Sequence, residues 1–321
     1  MDVFFYEVFE EEQNALLSHM PAGLDAGCTP GTIQEAGHTY PPAGLISIRT
    51  QSIIPDAWAS KLTGIISRST GYDHVKSFLD GCKKPIPAGY LPRYCSRAVA
   101  EQALLLWLSL MRKLCEQTDH FRQFDRDGLT GLECEGKTLL VVGVGNIGSE
   151  VCRIGSSLGM ETLGVDLVIR HPSIRYAAID DALPKADVIV CAMNLTELNR
   201  GYFHYNFLKK AKPGAIFVNI ARGELSPTAD LLHLLEEGHL SGVGLDVYED
   251  EGELATMLRS GNASANSTAQ AVFKLARHKN AILTPHNAFN TREALERKAS
   301  QSAEQVVHFL RYGEFIWPIP R

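Results

Sequence analysis

The chain has 321 residues with 45% hydrophobic and 21% charged content, enough to build the cores of two domains and too apolar for a disordered polyelectrolyte. A net charge of −6 gives no support to nucleic-acid or membrane-surface binding, and no apolar stretch approaches the length of a membrane span. Seven scattered cysteines without a CxxC pair, and a start (Met1-Asp-Val-Phe-Phe-Tyr-Glu) that lacks a basic secretory region, point to reduced thiols in a cytoplasmic protein.

In chain order, apolar runs at 3–6, 45–48 and 64–66 are expected as strands, and 10–20 and 73–79 as helices. They describe a small α/β unit with loops that carry Pro and Gly, such as Tyr40-Pro-Pro-Ala-Gly. Residues 96–114 lack Gly and Pro and are apolar around most of the circumference, which predicts one long helix buried between domains or subunits. Gly131 to Thr138 matches the GxxxxGK[ST] pattern of a phosphate loop. It precedes a strand, however, so no helix N-terminus faces the phosphate, and Glu133 and Glu135 would repel one.

From residue 138 the pattern becomes strand and helix in alternation, with strands expected at 138–142, 161–165, 187–191, 214–220, 242–246 and 281–284. That is the signature of a doubly wound parallel sheet, an α/β fold. Residues 228–237 are expected as a helix ended by Gly238. Between Glu251 and His286 lies a long excursion in which the small, polar decapeptide 260–269 reads as a mobile surface loop before a helix over 269–277. The last helix is expected over 291–311.

Leu139 to Val142 is an apolar run without alternation, as a central strand covered on both faces requires. It leads into Gly143-Val-Gly145-Asn146-Ile147-Gly148. Gly143 permits the tight turn, Gly145 lets a pyrophosphate approach the backbone, and Gly148 lets the following helix pack on the sheet. The helix N-terminus supplies N–H donors and the positive end of its dipole. Asp166 ends the next strand, where a carboxylate accepts from both ribose hydroxyls and repels a 2′-phosphate, so NAD (NADH) is the expected cofactor. Arg170 and His171 would favour the phosphate only by turning inward.

Arg222, Glu251 and His286 each follow an expected strand at its carboxyl end, where an α/β sheet opens its ligand crevice. An arginine fork can hold a carboxylate and polarise the neighbouring carbonyl. A histidine can give a proton to the carbonyl oxygen as hydride reaches carbon, and a glutamate beside it stabilises the imidazolium. Singly, each has an ordinary alternative: a surface ion pair for Arg222, a solvated acidic run for Glu251, a structural cap for His286. Together they suit hydride transfer to a 2-oxo acid.

Gly143-Val-Gly-Asn-Ile-Gly, Asn219-Ile-Ala-Arg222-Gly-Glu, Leu245-Asp246-Val-Tyr-Glu-Asp-Glu251 and Thr284-Pro-His286-Asn-Ala-Phe together resemble the D-isomer-specific 2-hydroxyacid dehydrogenases. The resemblance implies an NAD-binding Rossmann domain over 98–290 and a smaller flavodoxin-like substrate domain joining 1–97 to 291–321. It implies Arg222, Glu251 and His286 as the catalytic set, without a metal. Met193, Asn194, Ile220, Ala221 and Asp246 fall to the cofactor, with Asp246 near the nicotinamide. The Thr70–Gly71 loop would hold the substrate carboxylate, and Tyr94 matches a pocket tyrosine of the D-lactate branch. Ala192-Met-Asn194 and Arg97 depart from the usual His-Pro and Asn of many members. The long spacing from Glu251 to His286 is similar to the D-lactate and D-2-hydroxyisocaproate enzymes. The expected activity is reversible hydride transfer between NADH and a small 2-oxo acid by a homodimer. A dinucleotide-sensing corepressor-like protein and a formate or phosphite dehydrogenase are the alternatives on this scaffold.

Overall fold

A computed structural model describes residues 1–260 and 267–320, so most of the decapeptide expected as a loop lies outside the described residues. The chain divides into two units, Met1–Cys95 with Asn290–Arg321, and Ser96–Phe289.

In the first unit five parallel strands, β1 (Val3–Phe5), β2 (Ala26–Cys28), β3 (Leu45–Ile48), β4 (Gly64–Ser67) and β5 (Ala88–Gly89), lie in the order β2-β1-β3-β4-β5. The sheet is covered on both faces. Val3, Phe5, Leu45 and Ile66 pack with Leu16, Val306 and Phe309 on one side, and Ile46, Ile48 and Ile65 with Trp58 and Val75 on the other. Helices α1 (Glu10–His19), α2 (Ile33–Ala36) and α3 (Asp73–Asp80) belong to this unit, as does the C-terminal helix Arg292–Tyr312, which packs along α1. Strands β2 and β5 are additions to the expected set. Ala-Gly-Cys and Ala-Gly contain no β-branched or aromatic residue, and both strands sit at the sheet edges, held by one neighbour each.

Among its described residues the second unit carries six parallel strands: β6 (Thr138–Val142), β7 (Glu161–Val165), β8 (Val188–Cys191), β9 (Ala215–Asn219), β10 (Leu240–Leu245) and β11 (Ala281–Leu283). Their order, β11-β10-β9-β8-β6-β7, is doubly wound, and the strand order reverses between β6 and β8. Its helices are α4 (Ser96–Met111), α5 (Leu114–His120), α6 (Asn146–Ser157), α7 (Ile179–Ala182), α8 (Tyr205–Leu208), α9 (Thr228–Glu236), α10 (Glu251–Ser260) and α11 (Ser267–Leu275).

Two expectations are corrected here. The helix expected over 96–114 ends at Met111, and a residue with left-handed backbone, Lys113 at φ 52°, separates it from α5. The Met111 carbonyl accepts from Leu132 N at 2.9 Å, so the returning chain takes the acceptor that a further helical turn would need. The excursion after Glu251 is also more regular than expected, because it opens with α10 and its second helix starts at Ser267. One face of α4, with Val99, Ala103, Leu106 and Trp107, is buried against α6 and strands β9 and β10. Each large side chain there contributes roughly 1.5–3 kcal/mol on burial. Leu105 and Leu108 on the same helix are exposed.

Candidate active site

The glycine turn after β6 is shaped by two close approaches. Gly143 has φ +93°, and a Cβ there would lie 2.5 Å from the Met193 backbone. A Cβ on Gly148 would lie 1.9 Å from the Gly143 carbonyl oxygen, so the first turn of α6 packs directly on the loop. Gly145, the N-cap of α6, faces open space. A side chain at Gly145 would fill the volume in front of the helix N-terminus, where the backbone N–H groups meet an anion. Asp166 anchors the turn from β7. One carboxylate oxygen accepts from Val144 N at 2.7 Å and the other from Val168 N at 3.0 Å. Each oxygen keeps a second lone pair for a ribose hydroxyl. These residues fit a dinucleotide. Met193 is partly buried and Asn194 exposed in the loop after β8, on the other side of the switch point; Ile220 is buried and Ala221 partly buried after β9. Arg170 is exposed.

Arg222, Glu251 and His286 all lie in this second unit, and their loops are stitched together. Buried Asn219 organises the first. Its side-chain amide donates to the Arg222 carbonyl and to Ser226 Oγ, both at 2.8 Å, and its Oδ1 accepts from Ala221 N at 2.9 Å. The chain then runs against the second loop so closely that a Cβ on Gly223 would lie 1.8 Å from the Tyr248 carbonyl carbon. The glycine of Ala-Arg-Gly-Glu is therefore a packing requirement.

Asp246 ties the second loop to the third. It is 1% exposed, and its carboxylate accepts from Thr284 Oγ1 (2.5 Å), Asn287 N (2.9 Å) and Ala288 N (2.9 Å). Burial pushes this carboxyl up from the usual range. In the structure its oxygens hold the loop that carries His286. Tyr248 Oη adds a bond to the Thr284 carbonyl at 2.8 Å.

His286 itself has φ 50°, an uncommon backbone for a residue with a Cβ, and Asp250, just before Glu251, has φ 51°. Within this frame His286 Nδ1 lies 2.7 and 2.8 Å from the two Glu251 oxygens, each side chain 22% exposed. A carboxylate only accepts, so Nδ1 carries the proton and the outer nitrogen Nε2 is directed to other partners.

Thr70, Gly71 and Tyr94 belong to the first unit. The Thr70 hydroxyl donates to the Leu91 carbonyl at 3.1 Å and meets Cys95 Sγ at 3.4 Å. Ser69 Oγ closes on the Gly71 carbonyl at 2.6 Å. Tyr94 is buried, with its carbonyl accepting from Arg297 Nε at 2.8 Å, and burial pushes its hydroxyl up. Sequence reasoning missed Asn219, Gly223, Tyr248 and Thr284 as positioning residues. They stood inside the quoted motifs; the partners of Gly223, Tyr248 and Thr284 lie on other loops, while those of Asn219 are in its own loop.

Residues 104–288 match the NAD-binding domain of the D-isomer specific 2-hydroxyacid dehydrogenases. The chain is 32% identical to 2-hydroxyacid dehydrogenase A of Aspergillus oryzae over 263 residues, 80% of this chain and 75% of that protein. It is 29% identical to glyoxylate reductase of Thermofilum pendens, over 83% of this chain and 77% of that protein. The crystal structure of D-lactate dehydrogenase from Aquifex aeolicus, complexed with NAD and lactic acid, superposes with a TM-score of 0.85 at 29% identity, covering 98% of each chain. With these likenesses joined to the glycine turn and the strand-end loops, the chain belongs to the D-isomer-specific 2-hydroxyacid dehydrogenases, NAD-dependent oxidoreductases of the CH–OH group of 2-hydroxy acids.

Proposed function

We propose that the protein reduces a small 2-oxo acid to the D-2-hydroxy acid, with Arg222, Glu251 and His286 as its catalytic set. Bound NADH supplies a hydride, with its two electrons, to C2 of the substrate. His286 gives its Nε2 proton to the carbonyl oxygen, so a 2-oxo acid, NADH and one proton become a 2-hydroxy acid and NAD+. Glu251, on Nδ1, stabilises the imidazolium and fixes the ring so that Nε2 faces the substrate. The Arg222 guanidinium grips the carboxylate beside the reacting carbonyl. Gly143, Gly145, Asn146, Ile147 and Gly148 hold the pyrophosphate, Asp166 the ribose. Met193, Asn194, Ile220 and Ala221 line the cofactor, Asp246 supports the nicotinamide side, and Thr70, Gly71 and Tyr94 meet the substrate.

The observation that carries this reading is the paired contact of His286 Nδ1 with both Glu251 oxygens, on a loop held by buried Asp246. The test is NADH oxidation by the purified protein against a panel of 2-oxo acids, with formate and phosphite in the oxidative direction. Turnover of 2-oxo acids supports it. No turnover of any acid favours a dinucleotide sensor, and NAD+ reduction by formate or phosphite would reassign the substrate. The free thiols suit a cytoplasmic location. The homodimer would use the exposed apolar residues Leu105, Leu108, Phe121 and Phe124 in an isologous contact. A monomer mass by light scattering at micromolar concentration would sink it.

A further inference from the structure

The backbone of His286 is tied to Thr284. Its N–H donates across Pro285 to the Thr284 carbonyl at 2.9 Å. The orientation of the Thr284 peptide therefore sets that of His286, whose φ of 50° leaves little room for adjustment. Thr284 is engaged in turn at each polar atom. Its N–H donates to the Leu245 carbonyl at 2.9 Å, its carbonyl also accepts from Tyr248 Oη at 2.8 Å, and its hydroxyl meets Asp246 Oδ1 at 2.5 Å. A further neighbour comes from α4, where Gln102 Nε2 lies 3.2 Å from Thr284 Oγ1. All these residues belong to the second unit.

Proton counting shows what Gln102 contributes. A hydroxyl has one proton and two lone pairs. The 2.5 Å contact fits two arrangements. In the first, Asp246 is a carboxylate and Thr284 donates to it. In the second, Asp246 is protonated and donates to Thr284, whose own proton must go to the Leu245 carbonyl at 3.5 Å. That carbonyl already accepts from Thr284 N at 2.9 Å and Tyr248 Oη at 3.3 Å, so the second arrangement ends in a poor bond. A donor from Gln102 favours the first arrangement, because a hydroxyl that accepts a hydrogen bond becomes a stronger donor. Burial pushes the Asp246 carboxyl up, and the Thr284 hydroxyl is the foremost group that opposes it, ahead of His286 and the Asn287 and Ala288 amides. The other titratable groups nearby are Tyr248, whose hydroxyl burial pushes up and keeps neutral, and Glu251, bound to His286 Nδ1. From α4 comes the neutral amide of Gln102.

We propose that Gln102 is a positioning residue for His286: by donating to Thr284 it commits the hydroxyl proton to Asp246, whose carboxylate stays an acceptor for the loop that carries His286. Asn287 and Ala288, the two residues after the histidine, donate to that carboxylate, and Thr284 holds the residue two before it. A protonated Asp246 keeps fewer acceptor sites and no charge, and the loop loosens on the far side of His286. The inference rests on the protein being a 2-oxo acid reductase.

The test is kcat for 2-oxo acid reduction followed against pH. In this direction His286 must carry its proton, which limits the alkaline side, and protonation of Asp246 limits the acid side. Gln102→Leu should move the acid limb up by about half a pH unit, as the loss of a strengthening bond. Gln102→Glu, of the same shape but accepting when ionised, and Thr284→Val should move it up by about one to two units, the loss of a hydrogen bond to a charged group. Thr284→Ser should restore the wild-type limb, with NADH binding within a few-fold throughout. An unmoved acid limb in Gln102→Glu and Thr284→Val, or a fall in kcat that is equal at every pH, overturns the proposal and leaves the reductase reading intact. Hydrogen exchange of the segment 284–289 at pH 6 needs no turnover and separates the two. Exchange several-fold faster in Gln102→Glu than in wild type, in a protein that turns over no 2-oxo acid, keeps the positioning role and refutes the reductase. Neither faster exchange nor turnover refutes both.

Discussion

Each unit places a carboxylate against a basic side chain near the carboxyl ends of a parallel sheet, and the two pairs differ in burial. Glu12 and Lys298 are fully enclosed and share their pocket with a second ion pair, Glu12–Arg68. Glu251 and His286 are each 22% exposed and meet in a two-oxygen contact with one ring nitrogen. An enclosed pair cannot lose one member without stranding the other charge, so it holds one arrangement. A partly exposed pair can pass a proton to a ligand and regain it from water. Burial thus decides which ion pair is framework and which can do chemistry, although the residue types are similar.

The largest expected effect tests the partly exposed pair. His286→Ala should lower kcat by about 10²–10⁴-fold while NADH binding, followed by fluorescence titration, stays within a few-fold. A variant within a few-fold of wild-type turnover would remove His286 from the mechanism and dissolve the contrast.

The enclosed pair is tested by stability. Glu12→Gln should cost about 3–5 kcal/mol in urea unfolding, because it leaves Lys298 and Arg68 without their shared carboxylate. Burial pushes the Glu12 carboxyl up, but Arg68, Lys298 and Arg49 outweigh it and hold it down at about 2. With a folded value below the ordinary one, this carboxylate stabilises the fold above pH 4.5, and the contribution is lost as the pH falls toward 2. The Glu12→Gln protein should lack that acid-side loss, and equal pH slopes for both proteins would show that Glu12 is not the titrating group.

A middle case is Asp166, partly buried and bonded to two backbone amides. Asp166→Ala should weaken NADH use by about tenfold and raise the relative use of NADPH, since a charged acceptor for the ribose and the repulsion of a 2′-phosphate both go. A wild type that already prefers NADPH would reverse this assignment.

At the exposed extreme stands Arg97, which joins Glu101 and Glu150 across the surface with its side chain about half exposed. Arg97→Ala should shift stability by no more than about 1 kcal/mol, because solvent screens such pairs. A shift as large as that of Glu12→Gln would break the rule that burial separates these ion pairs.

The sequence by itself determined the parallel strands at the sheet centres. Leu139 to Val142 and Ala215 to Val218 are buried throughout, and a strand covered on both faces must be written as an unbroken apolar run. It determined the glycine turn, since Gly143 and Gly148 sit where a Cβ would collide with backbone, and it showed Arg222, Glu251 and His286 at three strand ends. Tertiary structure alone decided the rest. The end of α4 at Met111 depends on Leu132, the edge strands β2 and β5 on a neighbour's ladder, and the role of Asp246 on amides 41 and 42 residues away. The cluster of Glu12, Arg68 and Lys298 leaves no trace in any local window, for each residue alone is an ordinary charged side chain on an amphipathic or strand-end segment. Backbone preference and side-chain periodicity act over a few residues and can be read along the chain. Desolvation acts on whatever the fold brings together, and it turns distant charges into a buried partnership.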